Sequence, residues 1–489
     1  MKNKGLAKRT RLAQAINASQ FFSLAFGCII GVAWVVVLGD LLRLAGPLGT
    51  MLGFVGAGLV SMLIGLCYAE IITIFPASGG EVVYAYEIYG LKTCFATGWC
   101  LALAYVALTA FEGISIGWVA STLFPGLQGV PLYTVHGTVI DSGTLVMGLG
   151  GMALLVYLNY RGAQLAAGFQ ESVTYLKIVI AVICVSVGIL FGRAGNLHPL
   201  FLRSDTGSIW GGVLSVFLTG AFWYAGFNII SAAAEEKARA TSLRTVGRMI
   251  VLSIALAMAF YCLVILACCM LYPWKQLTLL NLGVATVFQV SLGSALLTKM
   301  VLTAALLGNI TAWNAFVIGA SRVLFALGRA RIAGTSLGEV HPVFGSPAKA
   351  TLLVGAVASA GVLLGRGLIL PIVNVTSSCF AFVFLLICMG VVKRRLKAPL
   401  LKAPYRAPGG MVTACLGCLG SLFMLVVSLY QPHAATGTGA IPAEWAILAA
   451  WSLLGLLFWF AGRGIRRGIS EGERRRLILG DGAVKAAHE

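Results

Sequence analysis

Of the 489 residues, 59% are hydrophobic and only 10% are charged, and the formal net charge is +19. This is the composition of a polytopic membrane protein and not of a soluble chain divided into ordinary domains. The sequence also lacks a Gly-x-x-x-x-Gly-Lys-Ser/Thr phosphate loop and a His-Glu-x-x-His pair, which argues against an ATP-driven pump and a membrane metalloprotease.

At roughly 20 apolar residues per crossing, hydropathy predicts twelve spans, at 20–45, 50–74, 97–123, 144–160, 170–192, 210–234, 248–271, 293–326, 350–365, 368–392, 411–430 and 445–462. The first apolar run is too long for a signal peptide, lacks a small-residue cleavage site and continues through Gly46-Pro47 into the next span, so it reads as a transmembrane helix. Its middle, Phe26-Gly-Cys-Ile-Ile-Gly31-Val-Ala-Trp34, is weakened by glycines. The third span carries Glu112 and the fifth carries Lys177. The sixth, Phe217-Leu-Thr-Gly-Ala-Phe-Trp-Tyr-Ala-Gly-Phe-Asn228, is interrupted in the same way and closes on Ala234-Glu-Glu236. Two interrupted spans separated by about five others point to a transporter built of inverted repeats, its site lying between two broken helices. A broken helix exposes backbone N–H and C=O groups that lipid cannot satisfy, and a bound substrate or ion takes that role.

The basic residues fall on alternate loops. Twenty-eight Lys and Arg share the side of the N-terminus, whereas Arg43, Arg193, Arg203, Lys275, Lys299 and Arg366 make up the other side. The excess charge is therefore a topology signal and not a nucleic-acid footprint, and it predicts both termini in the cytoplasm of a cell-membrane protein. Nearly all of the twelve cysteines sit within apolar runs, where thiols behave as small hydrophobes. Cys415-Leu-Gly-Cys418 has zinc-like spacing but no second pair to complete it. The five histidines fall in loops or the tail, so haem held between spans lacks its ligands. No metal and no cofactor is expected.

Glu112 lies near mid-membrane and Lys177 about two turns into its span. Charges at such depth cost a few kcal/mol on insertion scales and mark function by default. The alternatives are a protonated packing role for Glu112 and snorkelling to the cytoplasmic interface for Lys177.

Several stretches carry a resemblance. Gly27-Cys-Ile-Ile-Gly31 with Leu44-Ala-Gly-Pro47, then Tyr68-Ala-Glu70 with Phe75-Pro-Ala-Ser-Gly-Gly80 and Tyr84-Ala-Tyr86, are followed by Phe222-Trp-Tyr-Ala-Gly-Phe227 through Glu236. Ser321-Arg322 and Ala326-Leu-Gly-Arg329 complete the series. In order and spacing these resemble the amino acid/polyamine/organocation superfamily of permeases over most of the chain. The resemblance implies a LeuT-like, all-helical fold of five plus five inverted spans, with helices 1 and 6 broken and two further C-terminal helices. It divides the chain into a cytoplasmic tail (1–19), a first repeat (20–192), a second repeat (210–392), peripheral spans (411–462) and a basic tail (463–489).

By the same resemblance, backbone N–H groups of Gly31, Val32 and Ala33 would hold a substrate carboxylate. Carbonyls around Ile29, Phe222, Trp223 and Ala225 would hold an amino group, and the stretch from Phe222 to Gly226 would be non-helical. Phe222 matches the aromatic that covers the substrate. Lys177 matches the fifth-span lysine that stands in for sodium in many sodium-independent members. Three departures stand out: Gly31-Val32-Ala33 replaces the usual Gly-Ser/Thr-Gly, Trp223 replaces a small residue, and Glu112 is outside the common pattern and suits an extra cationic group on the substrate. The expected activity is secondary transport of an amino acid or related amine, without enzyme chemistry, proton-coupled or by exchange and independent of sodium. The partners are the small-molecule substrate, protons and the bilayer, with no nucleic acid. The alternatives are a polyamine or amino-alcohol carrier of the same fold and a substrate-binding membrane sensor.

Overall fold

The structure, a computed structural model, describes residues 9–135, 138–202, 208–280, 282–365, 369–397, 403–436 and 441–480. The first helix begins at a reciprocal cap. Asn17 Oδ1 accepts the Gln20 N–H at 2.9 Å while Gln20 Oε1 accepts the Asn17 N–H at 3.0 Å, which satisfies donors that helix geometry leaves orphaned. This helix, α1 (Ala18–Ile29), is followed by α2 (Ala33–Val36) and α3 (Leu38–Ile74). The chain turns within α3 at Gly46, where φ is 72°, just before Pro47. The Ala45 carbonyl at this turn accepts the Leu202 N–H at 3.0 Å.

Next come α4 (Glu81–Tyr89), α5 (Leu91–Leu123), an antiparallel hairpin of β1 (Pro131–Val135) and β2 (Thr138–Asp141), α6 (Ser142–Tyr160) and α7 (Ala163–Phe191). The second half contains α8 (Trp210–Leu218), α9 (Gly220–Trp223), α10 (Ile229–Ala232), α11 (Leu243–Leu271), α12 (Trp274–Leu277), α13 (Gly283–Leu292), α14 (Ala295–Arg329), α15 (Ala348–Val362) and α16 (Ile369–Lys397). The chain closes with α17 (Gly410–Thr436), α18 (Ala443–Ala461), α19 (Arg463–Arg467) and α20 (Glu471–Leu479).

Among the described residues ten helices are long and apolar enough to cross a membrane, and α13 and α15 are shorter apolar helices. The chain is a multi-pass membrane protein. The helices do not follow the hydropathy windows one for one. The predicted sixth span is three short helices, and the predicted ninth is a helix of 15 residues, about 22 Å long at 1.5 Å per residue against a core of roughly 30 Å. Helices α5 and α16 outrun their windows into polar sequence, because backbone hydrogen bonding continues where hydropathy stops. Helices α4 and α13 and the hairpin were not anticipated.

Burial sorts the bundle into centre and rim. In Ala18–Val36, which covers α1 and α2, and in α14, 78% of the most apolar window is buried, against 28% in α17 and 6% in α18. The last two helices thus form an outer layer with apolar faces turned outward, as lipid contact requires.

Candidate substrate site

Regular helix ends at Ile29 and resumes at Ala33, and again ends at Trp223 and resumes at Ile229. Each interruption frees backbone carbonyls inside the bundle, and each is held by named side chains. At the first, Lys177 Nζ donates to the Ile30 carbonyl at 2.6 Å, to Gly27 O at 3.4 Å and to Thr311 Oγ1 at 3.0 Å. The Thr311 hydroxyl in turn lies 2.8 Å from Gly27 O. Lys177 is only 1% exposed, so the ammonium spans α7, α1 and α14 and does not snorkel outward. The first interruption also sits tight against α14: a Cβ at Gly308 would lie 2.3 Å from Gly31 O.

At the second interruption, Gly226 adopts φ +115°, and a Cβ there would lie 2.6 Å from Cys28 Sγ; glycine alone meets both demands. Asn228 Nδ2 donates to Glu81 Oε1 at 2.8 Å and to the Tyr105 hydroxyl at 2.6 Å. Glu81 belongs to α4, outside the spans, and is fully buried. Burial pushes its carboxyl up from 4.5 to about 7, with the Asn228 hydrogen bond opposing.

A cavity of about 50 Å³ lies between the two interruptions. At roughly 10–15 Å³ per water-sized occupant, it has room for a few waters or a small polar headgroup. Ile29, Gly31, Val32, Ala33, Glu112, Trp223 and Ala225 all line it. Gly226 shapes the adjoining turn and is not among the lining residues. The Phe222 and Trp223 backbone belongs to α9, so the stretch expected to be non-helical from Phe222 begins only after Trp223; the Phe222 side chain lies outside the described residues. Trp223 is 4% exposed, donates its indole N–H to Thr219 Oγ1 at 2.9 Å and packs edge-on to Phe54 and Tyr261. It therefore narrows the cavity and does not face lipid. Glu112 is 4% exposed and accepts the Asn309 amide at 2.7 Å.

Sequence reading missed Tyr261, Asn309 and the α16 pair Thr376-Ser377, which all border or hold the cavity. The Tyr261 hydroxyl is 3.0 Å from Ile29 O and 3.1 Å from Trp223 O, linking two carbonyls expected to meet an amino group. One phenolic proton cannot serve both fully, so acceptor capacity remains for a second donor. The signal was present in part: Asn309 and Thr311 interrupt an apolar run, as does Thr376-Ser-Ser378. Tyr261 gave none, since an aromatic in a span usually packs.

Below the cavity, the Glu235-Glu236 pair meets the arginines of α14. Arg322 Nε and Nη2 donate to Glu236 at 2.7 and 3.0 Å, with both side chains 1% exposed. Glu235 pairs with Arg329 at 2.7 Å and Arg9 at 3.4 Å. Burial would raise the Glu235 carboxyl, but the Arg329 and Arg9 guanidiniums and the Ser78 N–H hold it below its ordinary value. The N-terminal strand is tied to the same place: the Ala15 and Ile16 N–H groups donate to Glu236 O at 2.8 and 2.9 Å. Among the described residues, no group of three His, Cys, Asp or Glu side chains could hold a metal ion.

The sequence profile described as amino acid permease matches residues 16–452. A methylthioribose transporter of Bacillus subtilis is 28% identical over 415 residues, covering 82% of this chain and 86% of that protein. A branched-chain amino acid permease of the same organism is 26% identical over 461 residues, covering 92% and 93%. The chloroplastic cationic amino acid transporter 7 of Arabidopsis thaliana is 26% identical over 454 residues, covering 90% and 74%. These relatives are transporters and not enzymes. With a match that runs through both interrupted spans and the cavity they enclose, the chain belongs to the amino acid permease family of the amino acid/polyamine/organocation superfamily.

Proposed function

We propose that the chain is a secondary active transporter that carries an amino acid or a related amine across the cell membrane by alternating access. Residues 20–192 and 210–392 act as the two inverted repeats of a twelve-span, LeuT-like fold, with 411–462 peripheral and both tails, 1–19 and 463–489, cytoplasmic. The observation that carries this reading is the small buried cavity bounded at once by residues 29–33 and by Trp223 and Ala225. Gly31, Val32 and Ala33 offer N–H groups to a carboxylate, because the start of a helical segment favours an anion. Ile29, Trp223 and Ala225 offer carbonyls to an ammonium, Phe222 and Gly226 shape the second half of the site, and Trp223 limits side-chain size. Lys177 occupies the place of a coupling cation, so transport runs without sodium, by proton coupling or exchange. The names of two relatives, a branched-chain amino acid permease and a cationic amino acid transporter, support the substrate class.

A second reading, a polyamine or amino-alcohol carrier, is favoured by Glu112, a carboxylate at the cavity wall that suits an additional cationic group. A binding sensor is the third. The test is uptake of labelled amino acids and amines into proteoliposomes, with and without sodium and across an imposed pH gradient, after a thermal-shift screen has found ligands that stabilise the folded protein. Saturable, sodium-independent uptake is expected. Ligand binding without uptake would make the protein a sensor, and strict sodium dependence would overturn the role of Lys177.

A further inference from the structure

The N-terminal segment and the last helix meet on the face beneath the substrate cavity. Helix α20 begins at Ser470, whose hydroxyl accepts the Glu473 N–H at 3.1 Å. It has 9 residues, and in water an isolated helix shorter than about 12–15 residues is marginal. Docking therefore holds it together. Leu477 and Ile478 turn inward, 4% and 3% exposed. Arg474 Nε donates to the Ala330 carbonyl, just past α14, at 3.1 Å. Arg475 donates from Nη2 and Nε to Glu87 Oε2 of α4, at 2.8 and 3.1 Å.

The far end of α20 reaches the ion-pair cluster that closes this face. A helix leaves its last carbonyls without intrahelical donors, and Arg9 serves two of them, donating from Nε to Leu477 O and from Nη2 to Ile478 O, each at 3.1 Å. A cation at a helix C-terminus is also favoured by the helix dipole. The same Nη2 lies 3.4 Å from Glu235 Oε2, an oxygen that accepts the Ser78 N–H at 3.0 Å and pairs with Arg329 at 2.7 Å. One side chain thus belongs both to the end of α20 and to the closure. Without its cap and anchors the short helix melts, and Arg9 loses two of the acceptors that aim it at Glu235. Tail and closure are therefore one cooperative unit.

We propose that α20 is an autoinhibitory clasp: docked, it keeps this face closed through Arg9, and its release is part of opening the substrate cavity there. Its place in a transport cycle rests on the alternating-access reading, but its test reads opening and not uptake. The pair to break is Arg475 with Glu87, 32% and 6% exposed, because neither side chain lines the cavity or joins the Glu235 cluster. The reporter is Ser78→Cys, at a fully buried position beside Glu235. In the detergent-purified full chain, modification of the introduced thiol by N-ethylmaleimide is followed by peptide mass spectrometry. Native Cys269, fully buried in α11, gauges general loosening in the same samples.

Arg475→Gln is expected to speed modification of the introduced thiol about fivefold, the size of a lost, partly exposed ion pair, and to leave Cys269 unchanged. Glu87→Gln should do the same, and the reversed pair Glu87→Arg/Arg475→Glu should bring the rate back toward wild type. Arg467→Gln, which removes an exposed charge from α19, should have no effect. Unchanged modification in both single variants, equal acceleration of Cys269, no recovery in the reversed pair, or an equal effect of Arg467→Gln would each overturn the proposal. Should the Arg475 and Glu87 variants not fold, hydrogen exchange of the wild type decides. The amides of 471–479 and of 12–16 are expected to open with one common free energy, and two separate opening energies would overturn it.

Discussion

At the interruption between Ile29 and Ala33 a buried ammonium holds the freed carbonyls, whereas at the one between Trp223 and Ile229 a neutral amide does the holding. Lys177 comes from α7 and reaches α1 and α14 together, so one charge sets the spacing of three helices. Asn228 instead links the second interruption to α4 and α5, through Glu81 and Tyr105. Removing the cation withdraws one donor from three acceptors at once, while removing the amide breaks two discrete bonds. The first interruption is therefore a point of charge control and the second a point of local shape. The Tyr261 hydroxyl reaches a carbonyl beside each interruption, Ile29 O and Trp223 O.

The largest test of this contrast is Lys177→Met. It strips the Ile30 carbonyl of its Lys177 donor and leaves the Gly27 carbonyl to the Thr311 hydroxyl, at about 1–3 kcal/mol for a buried group left unsatisfied. Uptake across a pH gradient is expected to fall at least about tenfold and to lose its pH response, while folded protein still reaches the membrane. Wild-type, pH-responsive uptake would reduce Lys177 to a structural brace.

Next comes Glu81, whose folded carboxyl titrates at about 7 against an ordinary 4.5. The folded state binds the extra proton between these values. Its stabilising contribution is therefore complete below about pH 4.5 and is lost as pH rises through about 7, by roughly 1.4 kcal/mol per unit. Melting temperatures of wild type and Glu81→Gln, compared from pH 4.5 to 8, should diverge in that window. The opposite trend from Glu235, whose stability contribution is lost as pH falls, is common to both proteins and cancels. Parallel curves would show that the second interruption is not tied to a titrating group.

Gly308→Ala and Gly226→Ala compare the two interruptions by steric means. The first drives a methyl to 2.3 Å from Gly31 O, an overpacking cost of about 1–3 kcal/mol. The second forces alanine into φ +115° against Cys28, at about 1–3 kcal/mol of strain. Both should lower the melting temperature and weaken ligand-induced stabilisation; a variant that lost stability but kept full ligand response would separate that glycine from the site. The smallest effect is expected for Tyr261→Phe, about 0.5–1.5 kcal/mol for one hydrogen bond, read as a change in apparent ligand affinity because it frees Ile29 O and Trp223 O together.

Much of the site was legible before any coordinates. Gly31 and Gly226 punctuate membrane-length apolar runs, where glycine weakens a helix and backbone left unpaired needs a partner. Lys177 and Glu112 stood out because charge at that depth is costly. What remained hidden was the partner of each. Nothing in a linear sequence says that Asn309 lies against Glu112, that the Tyr261 hydroxyl lies between two carbonyls, or that α4 folds back so that Glu81 meets Asn228.

The sequence by itself determined the class of molecule, the positions of most membrane helices and where the two central helices give way. Each of these follows from short-range physics: hydropathy over one crossing and the missing side chain of glycine. Only the tertiary structure decided that Trp223 narrows a cavity and does not face lipid, that Lys177 bridges α1 and α14, and that Arg9 ties Glu235 to the end of α20. Those outcomes depend on contacts between residues tens to hundreds of positions apart, and close packing in three dimensions is what assigns a buried polar group its partner.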